Sequence, residues 1–76
     1  MLKITSETDI RNCLAARLSF LRAKKGWTQR ELAERSQVPR TYIADMEGGR
    51  RNPSIGTVLR VANALGVPLY QLFKDN

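Results

Sequence analysis

The sequence predicts an all-α domain of five short helices. Apolar residues recur at three- and four-residue intervals, each such stretch is bracketed by helix start and stop residues, and no run alternates apolar and polar like a strand. Seventy-six residues make one domain, and a chain of this size buries only about 60% of its unfolded surface. Residues 1–76 are therefore read as a single unit with no second sensing or catalytic domain.

Residues 1–5 carry no helical pattern and read as a loose arm. Such an arm can reach a DNA groove, but Lys3 is its only cation, and simple disorder is the competing reading. The first helix is capped by Ser6 or Thr8, with Glu7 and Asp9 at its positive end. Ile10, Leu14, Leu18 and Leu21 form its apolar stripe, and Lys24, Lys25 and Gly26 end it. Cys13 is read as a small core residue of this helix. Trp27 is assigned to the core, since no second aromatic beside it builds a stacking platform.

Residues 28–52 organise the rest. Thr28 and Glu31 have the spacing of a capping box and open the second helix. Leu32, Ala33 and Ser36 share its inner face, leaving Arg30, Glu31, Glu34 and Arg35 toward water. Pro39 forces a stop, so residues 36–39 make the turn. The third helix then runs over about 39–47 and closes on Gly48 and Gly49. Ile43 and Met46 face inward, while Arg40, Thr41, Ala44 and Asp45 share the opposite face.

Two short helices joined this way, with Gln29, Leu32 and Ala33 in the first, Val38 in the turn, and Ile43, Met46, Glu47 and Gly49 in and after the second, resemble the helix-turn-helix of Cro/CI-type (Xre-like) transcription regulators. The resemblance covers residues 14–73. It implies a lambda-repressor-like domain in which small residues such as Ala33 allow the two helices to cross closely. The run RTYI followed by EGGRRN is most similar to the controller proteins of restriction–modification systems. Gln37 stands where the family often has Gly or Asn, so a positive φ there costs about 1 kcal/mol. The resemblance also implies an ion pair between Arg22 and Glu47 that ties the first helix to the third, and places Arg51 and Asn52 at the DNA backbone.

Ser54 caps a fourth helix with Ile55, Val58, Leu59, Ala62 and Leu65 on its apolar face and Gly66 at its end. Pro68 starts a short fifth helix that brings Leu69, Leu72 and Phe73. Residues 54–73 are taken as dimerisation elements: Leu65, Val67, Leu69, Tyr70 and Phe73 offer more apolar surface than one small core consumes, and closing the monomer core is their other use.

Thirteen Lys and Arg against seven Asp and Glu give a net charge of +6, which favours a polyanionic partner. Nine of the cations are Arg, whose planar fork suits phosphate and guanine. No apolar run is long enough to cross a membrane, and the N-terminal residues lack the apolar centre of a signal peptide. A cytoplasmic, nucleoid-associated protein is expected. With one cysteine and no histidine, neither an internal disulfide nor a Cys/His metal set is available. No cofactor, metal, small-molecule ligand or enzymatic function is expected, for no histidine base, phosphate loop or nucleophile elbow is present.

These readings converge on a homodimeric, sequence-specific regulator that lays residues 39–47 in the major groove of double-stranded DNA at a palindromic operator. Arg40 is assigned to guanine, Thr41 to a base edge or thymine methyl, and Ala44 to an apolar contact. Tyr42 either meets a phosphate or reads a base. Asp45 has three open roles: accepting from cytosine N4, orienting Arg40, or discriminating against wrong sequences. Gln29, Arg50, Arg51 and Asn52 are expected to position the backbone. Glu34 is the candidate contact to RNA polymerase, against the alternative of a solvated face. The rival function is a protein-interaction module, such as an antitoxin or anti-regulator partner, whose groove receives a peptide. A third, an RNA-binding adaptor, lacks the exposed aromatic platform.

Overall fold

The computed structural model describes residues 6–74. In chain order these form α1 (Glu7–Lys25), α2 (Gln29–Ser36), α3 (Arg40–Glu47) and α4 (Ile55–Leu65), followed by a 3-10 helix over Leu69–Phe73. No strand occurs among the described residues.

Each α-helix begins much as its sequence dictates. The Ser6 hydroxyl accepts from the Asp9 N–H at 3.1 Å to start α1, and Ser54 does the same for Thr57 at 3.2 Å to start α4. At α2 both halves of the capping box form: Glu31 N–H to Thr28 Oγ1 at 3.0 Å, and Thr28 N–H to the Glu31 carboxylate at 2.9 Å. Two of the four orphan donors of that helix are thereby satisfied. Pro39 immediately precedes α3 as its extended N-cap, one residue later than a helix beginning at Pro39 would require.

The four α-helices also end alike. Trp27, Val38, Arg50 and Val67 each donate a backbone N–H to the carbonyl five residues back, at 2.9 to 3.2 Å. Before each of them stands the residue that turns the chain left-handed: Gly26, Gln37, Gly49 and Gly66. This is the Schellman closure, and it makes every connection short and sharply reversed. Gln37, at φ 57°, is the one non-glycine among them, so this turn is made with a side chain that the left-handed conformation strains.

The core is built where the helices converge. Leu14 and Leu18 of α1, Leu32 of α2, Ile43 and Met46 of α3, Val58, Val61, Ala62 and Leu65 of α4, and Leu72 of the 3-10 helix are all buried. Ser36, also buried, satisfies its hydroxyl on the Leu32 carbonyl at 2.7 Å, so α2 can pack closely without orphaning a polar atom.

Several expectations are corrected. The fifth α-helix is a 3-10 helix of five residues; so short a segment gains too few α-type bonds to offset nucleation, and the tighter turn suffices. On α4, Ile55 and Leu59 are 68% and 46% exposed, while Val61 is fully buried. The stripe is rotated so that positions 58, 61, 62 and 65 meet the core, an arc sharing three of its members with the expected one. Trp27 is only partly buried at the core edge, with the Arg35 guanidinium 4.3 Å from its ring centroid. Cys13 is half-buried rather than central. The arm assigned to residues 1–5 lies outside the described residues.

Strain at Gln37 yields a measurable consequence. Gln37→Gly is expected to raise stability by up to about 0.5 kcal/mol, the relief of about 1 kcal/mol of left-handed strain less roughly 0.5 to 1 kcal/mol for the extra unfolded-state freedom of glycine. Thermal unfolding should show a midpoint equal to that of wild type or up to a few degrees higher; a drop of several degrees would mean that the Gln37 conformation is unstrained.

Candidate nucleic-acid interface

The site begins with the residue that fixes α3 in place. Glu47, the last residue of that helix, has a side chain only 7% exposed and collects donors from two other helices. Arg22 of α1 grips it with two parallel bonds, Nε to Oε2 at 2.6 Å and Nη2 to Oε1 at 2.9 Å. Ser19 Oγ donates at 3.1 Å and Gln29 Nε2, from the start of α2, at 3.2 Å. The remaining arm of Arg22 donates to the Trp27 carbonyl at 2.6 Å.

A buried carboxylate is stable only when so satisfied. Burial pushes the Glu47 carboxyl up, but the hydrogen bonds from Arg22, Gln29 and Ser19 and the Arg22 charge outweigh it and hold it below its ordinary value. The Arg22 guanidinium is correspondingly raised by its bond to Glu47. Arg22 and Glu47 thus form an internal ion pair that joins α1 to α3. Gln29 is different: its amide nitrogen, expected to face a phosphate, turns inward to Glu47, because that carboxylate is the stronger acceptor within reach.

With Ile43 and Met46 buried and Glu47 locked, the opposite face of α3 is left to solvent. Arg40 and Thr41 are exposed, and Ala44 and Asp45 are half-buried beside them. Tyr42 packs partly against the core and carries the Arg51 guanidinium 4.1 Å above its ring centroid, a cation–π contact. The Asp45 side chain holds the loop arginines, Oδ1 with Arg50 Nη2 at 3.3 Å and Oδ2 with Arg51 Nη2 at 3.6 Å. Asn52 is exposed in the same loop, and Glu34 is exposed on α2.

Gly49, at φ 70°, makes the reversal that brings this loop back beside α3. Gly48 serves differently. Its φ of −86° is open to any residue, but a Cβ there would collide with the Arg50 guanidinium lying over it. That guanidinium also approaches the Ala44 carbonyl at 3.4 Å, so Arg50 sits at the negative end of α3.

Sequence reasoning missed two members of the supporting frame. Arg17 is 6% exposed, donating to the Gln71 carbonyl at 2.9 Å and to the Gln71 side chain at 3.0 Å; it ties α1 to the 3-10 helix. Its place among Leu14, Leu18 and Leu21 on the apolar stripe was the available signal. Ser19 had none, being an ordinary helix serine until α3 brings Glu47 against it.

The helix-turn-helix family model matches residues 18–72, which take in α2, α3 and the basic loop. The chain belongs to the helix-turn-helix family. A hypothetical transcription factor of Neisseria meningitidis serogroup B is 39% identical over 70 residues, covering 92% of this chain and 66% of its own length. The crystal structure of the hypothetical transcription factor NHTF from Neisseria superposes with a TM-score of 0.84 at 36% identity, covering 97% of this chain and 85% of that one. The restriction–modification controller protein C.AhdI from Aeromonas hydrophila gives a TM-score of 0.81 at 36% identity, over 83% and 96% of the two chains. The immunity repressor of Bacillus phage phi105 is 43% identical over 51 residues, 67% of this chain and 35% of the repressor. The protein is a helix-turn-helix transcriptional regulator with relatives among both controller proteins and phage repressors, and the family and these relatives are regulators rather than enzymes. Among the described residues no helix is long and apolar enough to cross a membrane.

The lowered Glu47 carboxyl sets a pH dependence. Its folded-state value lies below the ordinary 4.5, so its stabilising contribution is complete above that pH and is lost as pH falls through the folded value. Glu47→Gln should cost about 2 to 3 kcal/mol at pH 7, with the gap to wild type narrowing below about pH 4.5. Denaturant unfolding at pH 7 and at pH 3.5 measures both; a gap independent of pH would remove the charge from the account.

Proposed function

We propose that the protein is a sequence-specific, double-stranded-DNA-binding transcription regulator that acts as a homodimer on a two-fold symmetric operator, as a restriction–modification controller or a phage-type repressor. The observation that carries this reading is α3 itself. Its inner face is fully buried and its last residue is clamped to α1 and α2, while Arg40 and Thr41 project from the outer face. A helix so held can enter a major groove without losing its register.

Arg40 is suited to paired bonds with guanine O6 and N7, Thr41 to a base edge or thymine methyl, and Ala44 to an apolar contact. Arg50, Arg51 and Asn52 flank the helix on the loop and would take phosphates. With its side chain committed to Glu47, Gln29 would contribute through the backbone N–H groups at the start of α2. The polar outer face of α3 gives a peptide-receiving module no apolar groove to use there.

Two copies meet through α4 and the 3-10 helix in this reading. Leu65, one of the residues expected at such an interface, is 1% exposed and belongs to the monomer core. Tyr70, with Ile55 and Leu59 of α4, is exposed, and Val67, Leu69 and Phe73 are partly so. These six supply the apolar surface for a partner copy. Two recognition helices would then be spaced about 34 to 36 Å apart, one turn of B-DNA.

The division of labour is tested by two substitutions, each measured on the best-enriched duplex of a selected pool and on random duplex. Arg40→Ala should cost about 1 to 3 kcal/mol on the selected duplex and little on random DNA. Arg51→Ala should weaken binding to the selected duplex and lower the salt slope there by about 0.9. Equal losses on both duplexes for both variants would refute base reading by Arg40.

A further inference from the structure

The last turn of α3 carries two acidic residues and no basic one, an unfavourable arrangement at the negative end of a helix unless cations come to it. Glu47 is answered from inside by Arg22. Asp45 faces outward, and its cations come from the loop: Arg50 at 3.3 Å and Arg51 at 3.6 Å. Arg50 is seated further by the Ala44 carbonyl at 3.4 Å and by the vacant side-chain position of Gly48 beneath it. Arg51 is seated by the face of Tyr42, 4.1 Å away. The two arginines that would neutralise phosphates are thus folded back onto the protein.

We propose that Asp45 is a specificity latch: it withholds Arg50 and Arg51 from phosphates and releases them onto a duplex that offers the carboxylate a replacement donor. The chemistry of such a donor is a major-groove amino group, cytosine N4 or adenine N6, on the strand that Asp45 faces; every base pair carries one such group, but a pair that turns guanine O6 or thymine O4 toward Asp45 lacks it there. On a duplex lacking it, freeing the arginines leaves an unpartnered carboxylate among phosphates. On a duplex presenting it, the exchange is balanced, ion pair for phosphate contact and arginine for base amino group. The latch therefore acts by penalising the wrong duplex. It rests on the DNA-binding reading proposed above.

Simple removal of a negative charge would also tighten binding to any DNA, so the test couples the acid to the arginines. Wild type, Asp45→Asn, Gly48→Ala, the Arg50→Ala/Arg51→Ala double variant and the combination of that double with Asp45→Asn are titrated against random duplex and against the best-enriched duplex of a selected pool. The titrations run over a series of salt concentrations, after thermal unfolding has verified that each variant folds. Asp45→Asn should tighten random-duplex binding roughly threefold to tenfold, the range that two exposed ion pairs support. It should also steepen the salt slope by about 0.9 for each arginine released. Gly48→Ala leaves the charge unchanged but fills the seat of Arg50, and should move the random-duplex affinity and slope in the same direction by the smaller step of one arginine. The ratio of selected to random affinity should fall in both variants.

In the arginine-free background Asp45→Asn should have no more than a residual effect. The latch is overturned if Asp45→Asn tightens binding equally with and without the arginines, which is bulk charge. It is also overturned if Asp45→Asn or Gly48→Ala weakens binding to random duplex, which would make the seat a way of presenting the arginines. Wild-type protein that binds no duplex at all would instead defeat the DNA-binding reading beneath it.

Discussion

Everything the site does depends on one buried carboxylate. Glu47 ends a helix of eight residues, far too short to hold its position by its own backbone bonds. Apolar packing of Ile43 and Met46 sets how deep the helix sits but is non-directional and leaves rotation about the contact free. The bidentate grip of Arg22, with Ser19 and Gln29 beside it, supplies the direction. Three helices are joined at a single side chain, and the outward face of α3 is aimed as a result.

The two acids at the end of α3 divide by burial. Glu47 lies inside, where an unpaired charge is intolerable, and its partners are held permanently. Asp45 lies at the surface, where ion pairs contribute little and exchange easily. One end of one helix thus carries both a fixed joint and a reversible contact. The glycines that follow serve each differently: Gly49 gives the left-handed reversal that returns the loop, and Gly48 gives the Arg50 guanidinium room to lie against the helix end.

What the sequence disclosed follows the range of the interactions. The caps at Ser6, Thr28 and Ser54 and the breaks at Gly26, Pro39 and Gly66 are encoded within a few residues, and each was legible. The rotation of α4 was less so: Leu59 and Val61 fit equally plausible stripes, and only the arrival of α1, α2 and the 3-10 helix selects Val61. Leu65 was given both a core and an interface use, because composition counts apolar residues without saying which the core consumes; it lies wholly in the core. The place of Arg17 on the apolar stripe marked it as unusual, but its partner could not be read, since Gln71 lies 54 positions away. The joint at Glu47 was reached through family resemblance, the direct signal being two opposite charges 25 residues apart. Asp45 stood among three open roles until the loop was seen to bring Arg50 and Arg51 back over it.

The central claim, that a rigidly held α3 reads bases in a two-fold assembly, is most directly tested by selection of the purified protein against a randomised duplex pool at about 150 mM salt. The account predicts recovery of a two-fold symmetric motif with G·C pairs in each half-site, the half-sites separated by about one helical turn. Retention of DNA with no enriched motif would contradict it, leaving a basic domain that binds phosphates and reads nothing.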